Sequence, residues 1–317
     1  MLVFVALLAV AAYAPAEDEV PKRIDPPRRS DPEAEVLKEK VIESIRQNYA
    51  RLPVVRCRQR CSVLDPTVDK PEIRRGVAEK RGQLLVEMQV RPRTTTDTNL
   101  ILAGDSIRAD SLIQETNSRW AVSMHSDIWM SVGSELAERK YREDMGGEAN
   151  IDPRNVGAFE QRKNFLDELR KAFVSAHTTV RRDGMELLAL DLTEYFAYQG
   201  KTFENTTQFE FDPARNYLPV RVMSTNPETK KILWVHDFDY QEVLPGSAWF
   251  LKKGIQRFFA RRNANTPDDD GWSQQILTLV GPVHTDKPVT DEDFFLPIPA
   301  GVRYIDMTKD RPRPSKE

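Results

Sequence analysis

The residues of this 317-residue chain that could do chemistry are two cysteines, four histidines and a scatter of serines and acids. Cys57 and Cys61 could form a disulfide or supply half of a zinc site, but no second cysteine pair exists to complete one. If 55–63 is a strand, Val55, Cys57, Gln59, Cys61 and Val63 share one face, and Arg56, Arg58 and Arg60 share the other. Four strand steps span about 13 Å, beyond the roughly 7 Å Cα limit of a disulfide. The strand reading therefore predicts two buried thiols, and a bridge requires the segment to turn. His125, His177, His236 and His284 lack the i, i+4 and His-x-x-Glu-His spacings of a hydrolytic metal site. His236 sits in an otherwise aromatic strand face, as expected of a core or rim histidine with one hydrogen-bond partner. Asp237 and Asp239 fall on the opposite face, where exposed carboxylates are far commoner than calcium ligands. Asp268 to Asp270 and Asp291-Glu292-Asp293 read as solvated loops. Asn205-Thr206-Thr207 is a glycosylation sequon, meaningful only on a eukaryotic secretory route. No Gly-x-Ser-x-Gly elbow, phosphate-binding glycine loop or dinucleotide fingerprint occurs. The expectation is a non-catalytic protein without cofactor or metal.

What the chain does carry is apolar surface at regular spacing. Met88, Trp120, Met124, Met130, Phe209, Phe211, Trp234, Phe238 and Trp249 are the candidates for lining an apolar ligand cavity. Plain core packing would use the same residue types, and the pattern alone does not separate the two. Even positions from Trp120 to Val132, Ser126 excepted, are apolar, which predicts one strand with a greasy and a wet face.

The elements that must position these residues are mostly strands. Alternation at 55–63, 84–90, 188–192, 208–212, 218–222, 232–240, 249–259 and 274–280 is separated by polar turns at spacings near ten residues. A hairpin is predicted over 98–112, turning at Gly104-Asp105. The links are too short for parallel crossovers, so an antiparallel meander is expected. One amphipathic helix should start at Asp31-Pro32-Glu33 and stop at Pro53, with Val36, Leu37, Val41, Ile45, Tyr49 and Leu52 as its apolar positions. A second fits residues 157–176, with Phe159, Phe165, Leu166, Leu169 and Phe173 on one side. Such helices bury their stripes only against the apolar face of the sheet. The predicted class is α+β, mainly β: a strongly curved antiparallel sheet forming an incomplete barrel with an α-helical lid.

Composition sets the rest. The chain is 40% hydrophobic and 30% charged with a net charge of −3, which fits a folded protein and offers no basic field for nucleic acid. Its first thirteen residues form an apolar run too short to span a bilayer, for which about 20 residues are needed. Ala14-Pro15-Ala16 follows, so residues 1–16 read as a signal peptide cleaved after Ala16, and the mature protein as periplasmic or secreted. Residues 17–30 and 311–317, rich in proline and charge, read as a disordered leader and tail around a single domain over 31–310.

In order and local phrasing the chain resembles the bacterial lipoprotein-carrier family (LolA-like). The phrase Phe211-Asp212-Pro213-Ala214-Arg215-Asn216-Tyr217-Leu218-Pro219-Val220 is similar to the family's strand, "D-P" turn and "L-P" strand entry. Asp239-Tyr240-Gln241-Glu242-Val243 and Gly246-Ser247-Ala248-Trp249-Phe250 resemble its closing strand pair, with Leu251 where the family usually has proline. Leu296-Pro297-Ile298-Pro299-Ala300-Gly301-Val302 resembles the tail of large envelope relatives. The resemblance covers residues 31–308 and implies a half-barrel with a helical lid over an apolar cavity. It implies a lipid or lipoprotein acyl chain as partner, and assigns no individual functional residue. The competing expectation is an envelope scaffold with a filled core. It would meet a protein partner through loops near 261–272 and the basic residues Lys252, Lys253, Arg257, Arg261 and Arg262.

Overall fold

The computed structural model describes residues 22–26, 31–64, 72–77, 85–90, 93–141, 153–154, 165–198, 200–225, 231–259 and 272–309. The first helix begins as the sequence predicts. Asp31 caps it, its carboxylate accepting from the Glu33 N–H at 2.8 Å, and Pro32 opens α1 (Pro32–Ala50). Its buried side is Ala34, Lys38, Val41, Ile42, Ile45 and Asn48, whereas Val36 is 69% exposed. The stripe is thus rotated from the expected one, because two polar residues, Lys38 and Asn48, belong to the packed face.

Strands follow in sequence: β1 (Lys22–Ile24) precedes α1, then come β2 (Val54–Leu64), β3 (Glu72–Val77), β4 (Leu85–Val90), β5 (Arg93–Ala103) and β6 (Ser106–Ile113). After them come β7 (Ser118–His125), β8 (Ile128–Val132), β9 (Leu136–Tyr141), helix α2 (Phe165–Lys171) and β10 (Phe173–Arg182). The chain continues with β11 (Met185–Tyr198), β12 (Lys201–Asp212), β13 (Leu218–Thr225), β14 (Ile232–Leu244), β15 (Ala248–Phe259), β16 (Trp272–Leu279) and β17 (Arg303–Asp306). Fifteen strands form one curved sheet that does not close, in the order β1-β11-β12-β13-β14-β15-β16-β2-β5-β6-β7-β8-β9-β17, with β10 also on β11; β3 and β4 make a separate hairpin. The predicted class, a curved antiparallel sheet under helices, is what the chain forms.

Three local expectations give way. The even-numbered apolar run from Trp120 is two strands. Ser126, with φ 55°, and Asp127 turn the chain, and His125 pairs with Ile128. Met124 then faces Trp129, while Met130 pairs with Ser123 on the opposite side. The second helix is α2 alone; Phe173 to Ala176 begin β10, where edge pairing with Leu192 and Thr193 wins over the helical spacing, and 155–164 lie outside the described residues. Lys22–Ile24, in the proline-rich leader, pairs with Tyr195–Ala197, because an edge strand needs only backbone hydrogen bonds. One pairing, β17 with β9, is parallel.

The helices cover the inner face. Val41, Ile42 and Ile45 of α1 and Phe165 and Leu169 of α2 pack on Leu190, Leu192, Phe209, Phe211 and Val222 in one sealed cluster. A second cluster holds Leu52, Val55, Cys57, Leu100, Leu102, Val122, Met124 and Trp129. Leu277 packs on the first and Leu279 on the second. Two residues apart on β16, they place both clusters on one face.

Candidate functional site

Helix α1 is held to the sheet by polar groups set within the apolar contact. Asn48, fully buried, donates from Nδ2 to the Trp249 carbonyl at 2.9 Å and accepts the Trp249 N–H at 2.8 Å and Asn216 Nδ2 at 3.0 Å. Its amide thus pairs with β15 as a strand backbone would. Asn216 reaches this position because the Asp212–Pro213 turn ends in a left-handed residue, φ 56°. Lys38, 4% exposed, donates to the carbonyls of Ala172 at 3.0 Å and Arg170 at 3.3 Å, joining α1 to the C-terminal end of α2.

Beneath this lid the expected cavity residues divide. Phe209 and Phe211 are sealed, and the Phe209 ring stacks on Phe211 and on Phe165, each at 5.9 Å. Trp234, Phe238 and Trp249 border the same cluster but stay half-buried, and Arg215 lies over the Trp249 ring at 5.5 Å. Trp120 and Met124 belong to the second cluster. Met130 faces away from it, toward Leu296. The Met88 side chain lies outside the described residues. Five of the nine therefore meet at one cluster, with Phe209 and Phe211 sealed within it and Trp234, Phe238 and Trp249 half-buried at its border.

Polar side chains run across the same inner face. Val222, His236, Gln256 and Gln275 stand in register on β13 to β16. His236 meets Gln256 Nε2 at 2.7 Å and sits between Trp234 and Phe238, and burial of its ring pushes its pKa down to about 3. Gln275 donates to Cys61 Sγ at 3.1 Å, and burial raises the Cys61 pKa. Cys57 and Cys61 both point inward and are not bridged, as the strand reading predicts. Gln59, between them, pairs in register with Leu279 and Thr98, and Thr98 Oγ1 meets Ser111 Oγ at 2.8 Å. Periodicity could not single out these residues, since glutamine at an inward position reads as an interruption.

The outer face is charged and self-neutralised. Asp97 accepts from Arg60 at 2.9 and 3.1 Å, Arg58 at 3.1 Å and Gln114 at 2.8 Å, and these donors, Arg60 first, hold its pKa at about 2. Arg182 forks onto Glu210 at 2.8 and 2.7 Å. Asp237 meets Arg257 at 3.0 Å and Arg221 at 3.5 Å, and Asp239 meets Lys252 at 3.4 Å. Two of the basic residues considered for an acidic partner are therefore engaged within the chain, and Arg261 and Arg262 lie outside the described residues. Among the described residues no group of three His, Cys, Asp or Glu side chains could hold a metal ion.

The C-terminal segment crosses this outer face. Arg56 meets Asp293 at 3.0 Å, Arg108 donates to the Asp293 and Phe295 carbonyls, and Ser123 donates to the Phe294 carbonyl at 2.6 Å. A hollow of about 460 Å³ opens between it and β7 to β9, lined by His125, Ile128, Met130, Arg139, Phe295 and Ile298 among others.

No family model and no curated relative matches the chain. Among solved structures it is similar in fold to a domain assigned to outer membrane lipoprotein sorting in Vibrio parahaemolyticus, at 13% identity over 81% of this chain and 97% of that one, TM-score 0.40. It is similar to a DUF1329 family protein from Desulfovibrio piger, at 10% identity over 84% and 98%, TM-score 0.43. It is also similar to a LolA superfamily protein from Nitrosomonas europaea, at 9% identity over 82% and 97%, TM-score 0.42. No described helix is long and apolar enough to cross a membrane.

Proposed function

We propose that this chain is an exported, non-catalytic carrier that holds an acyl chain, free or on a lipoprotein, between the helical lid and the inner face of the sheet. The observation that supports it most is the contrast within one face. Phe209 and Phe211 are wholly sealed, while Trp234, Phe238, Trp249 and Leu277 beside them stay half-buried under the same lid. A filled core would seal all six; a groove for an apolar guest leaves its wall reachable. Burying such a guest contributes about 0.8 kcal/mol per methylene, so a chain can be held tightly with few polar contacts.

The test is mass spectrometry of organic extracts from the natively purified protein, together with displacement of an environment-sensitive dye by long-chain lipids. Co-purifying lipid and saturable displacement are expected. Dye binding should fall about tenfold in Phe238→Asp, which places a charge on the wall. No recovered lipid and no displacement by any lipid would remove the carrier role.

A further inference from the structure

The C-terminal segment carries more apolar surface than it needs to hold itself on the sheet. Phe294 and Leu296 are sealed against the strands, yet Phe295 between them and Ile298 beyond stay open to water. Nine large apolar side chains are exposed among the described residues. Five of them, Leu136, Phe295, Ile298, Tyr304 and Met307, belong to β9 or to this segment. Single exposed apolar residues need no explanation, but a concentration at one end of a molecule marks an interaction surface. Phe295, Ile298 and Tyr304 also line the hollow of about 460 Å³ beside β7 to β9. That volume falls within the roughly 300–1,000 Å³ of small-molecule sites.

The strand registers give the hollow one floor. His125 stands opposite Ile128, Met130 opposite Arg139, and Arg139 opposite Asp306. Directly paired residues share a face, so Ile128, Met130 and Arg139 lie together, and all three line the hollow. Arg139 differs from the other arginines of the outer face. Arg58 and Arg60 close on Asp97, and Arg56 on Asp293, at 2.9–3.1 Å. Arg139 stands 3.8 Å from Asp306, beyond hydrogen-bond reach. That carboxylate already accepts from Tyr304 Oη at 3.0 Å and from the Thr308 N–H and Oγ1 at 3.0 and 2.6 Å. With its side chain 43% exposed, Arg139 keeps N–H donors for a guest. The other charged residue of the lining, Asp291, is 94% exposed and meets His125 Nε2 at 3.3 Å. Apolar walls around one guanidinium fit a molecule with a hydrocarbon body and a carboxylate, which the planar fork of arginine matches.

We propose that this hollow is a second binding site, separate from the lid, for a small apolar carboxylate. Its aromatic or branched body lies on Ile128, Met130, Phe295 and Ile298, and its carboxylate accepts from Arg139. The inference does not depend on the carrier reading.

The experiment is a magnetic-resonance titration of protein labelled at its methionine methyl groups, in which the Met130 signal, assigned from Met130→Leu, reports the hollow. The ligands are hydrocinnamate, isocaproate and the primary amide of each, at neutral pH and low salt. Both acids are expected to shift the Met130 signal saturably. Both amides should bind about fivefold more weakly, the worth of one ion pair to a partly exposed guanidinium. Arg139→Gln should weaken the acids about fivefold and leave the amides unchanged. Phe295→Ala should weaken all four ligands, and neither variant should lower the thermal midpoint. Phe238→Asp, which alters the proposed acyl site, should leave all four unchanged. No saturable shift with either acid up to about 10 mM, amides that bind as tightly as the acids, or affinities unaltered in R139Q and F295A overturn the inference and leave the carrier reading intact. Loss of the acids in a folded F238D protein also overturns it, since one site would then serve both guests. Saturable binding of the acids by a protein that takes up no lipid upholds this site and removes the carrier reading alone.

Discussion

At the scale of single residues, three polar groups decide more than their number suggests. Asn48 substitutes for a strand edge in holding α1 on Trp249, and no alternation or helical period marks it in advance. Asn48→Ala leaves the part-buried Trp249 N–H and carbonyl without these partners. It should cost about 1–3 kcal/mol, read as a lower urea midpoint with the slope unchanged. His236 and Asp97 set the response to acid. His236 has a folded pKa of about 3, below its ordinary 6.5, so the unfolded chain takes up the proton first. Its contribution is full above pH 6.5 and is lost as pH falls toward 3, by up to about 1.4 kcal/mol for each pH unit. Asp97, at about 2 against an ordinary 3.8, contributes above 3.8 and is lost as pH falls toward 2. Urea midpoints from pH 8 to pH 3 should therefore decline from about pH 6.5. The decline between pH 6 and pH 4 should flatten in His236→Phe and persist in Asp97→Asn.

At the scale of elements, the lid is two helices joined by one lysine. Lys38 donates to carbonyls that end α2, a helix of seven residues that could not stand alone. Lys38→Met keeps the stem and removes the donor. Hydrogen exchange across 165–172 should quicken at least tenfold while β12 and β13 stay protected. Elements with a single period were legible in the sequence: α1 begins at its Asp31 cap, β5 and β6 turn at Gly104-Asp105, and Cys57, Gln59 and Cys61 share a face. Legibility failed where two elements happened to share a period. The two-residue turn at Ser126-Asp127 reverses parity between paired strands, so Met124 and Met130 look alike in the chain and lie on opposite faces. Residues 173–176 carry helical spacing, yet the free edge of β11 offers a full set of backbone partners, and non-local pairing overrides local preference. The site was half legible for a related reason. Aromatic residues announce an inner face, but whether they are sealed like Phe209 or reachable like Phe238 depends on what lies above them, which periodicity does not encode.

At the scale of the molecule, an open sheet of this length has two problems: an inner face that needs a lid and an outer face that needs bracing. The helices address the first over β10 to β15. Over β2 to β9 the bracing comes from the C-terminal segment, which runs outside the sheet and finally adds β17 in parallel to β9, covering what would otherwise be an exposed edge. Its attachment is a series of separate contacts. His284 exchanges backbone hydrogen bonds with Arg56, Asp293 pairs with Arg56, and the Phe294 ring stacks on His125 at a centroid distance of 5.0 Å. Phe294, 6% exposed, and Leu296, 1% exposed, are sealed, while Phe295 between them is 67% exposed. If the segment is a brace and no part of the ligand site, loosening it should cost stability and spare binding. Phe294→Ala should lower stability by about 3 kcal/mol and open 281–302 to limited proteolysis. Phe295→Ala, two-thirds exposed, should do neither. Both variants should displace dye with lipid as the parent chain does, since Trp234, Phe238 and Trp249 lie on the other face. Loss of lipid binding in a folded Phe294→Ala protein would instead make the outer segment part of the proposed ligand site, and the hollow beside Met130 the place to look.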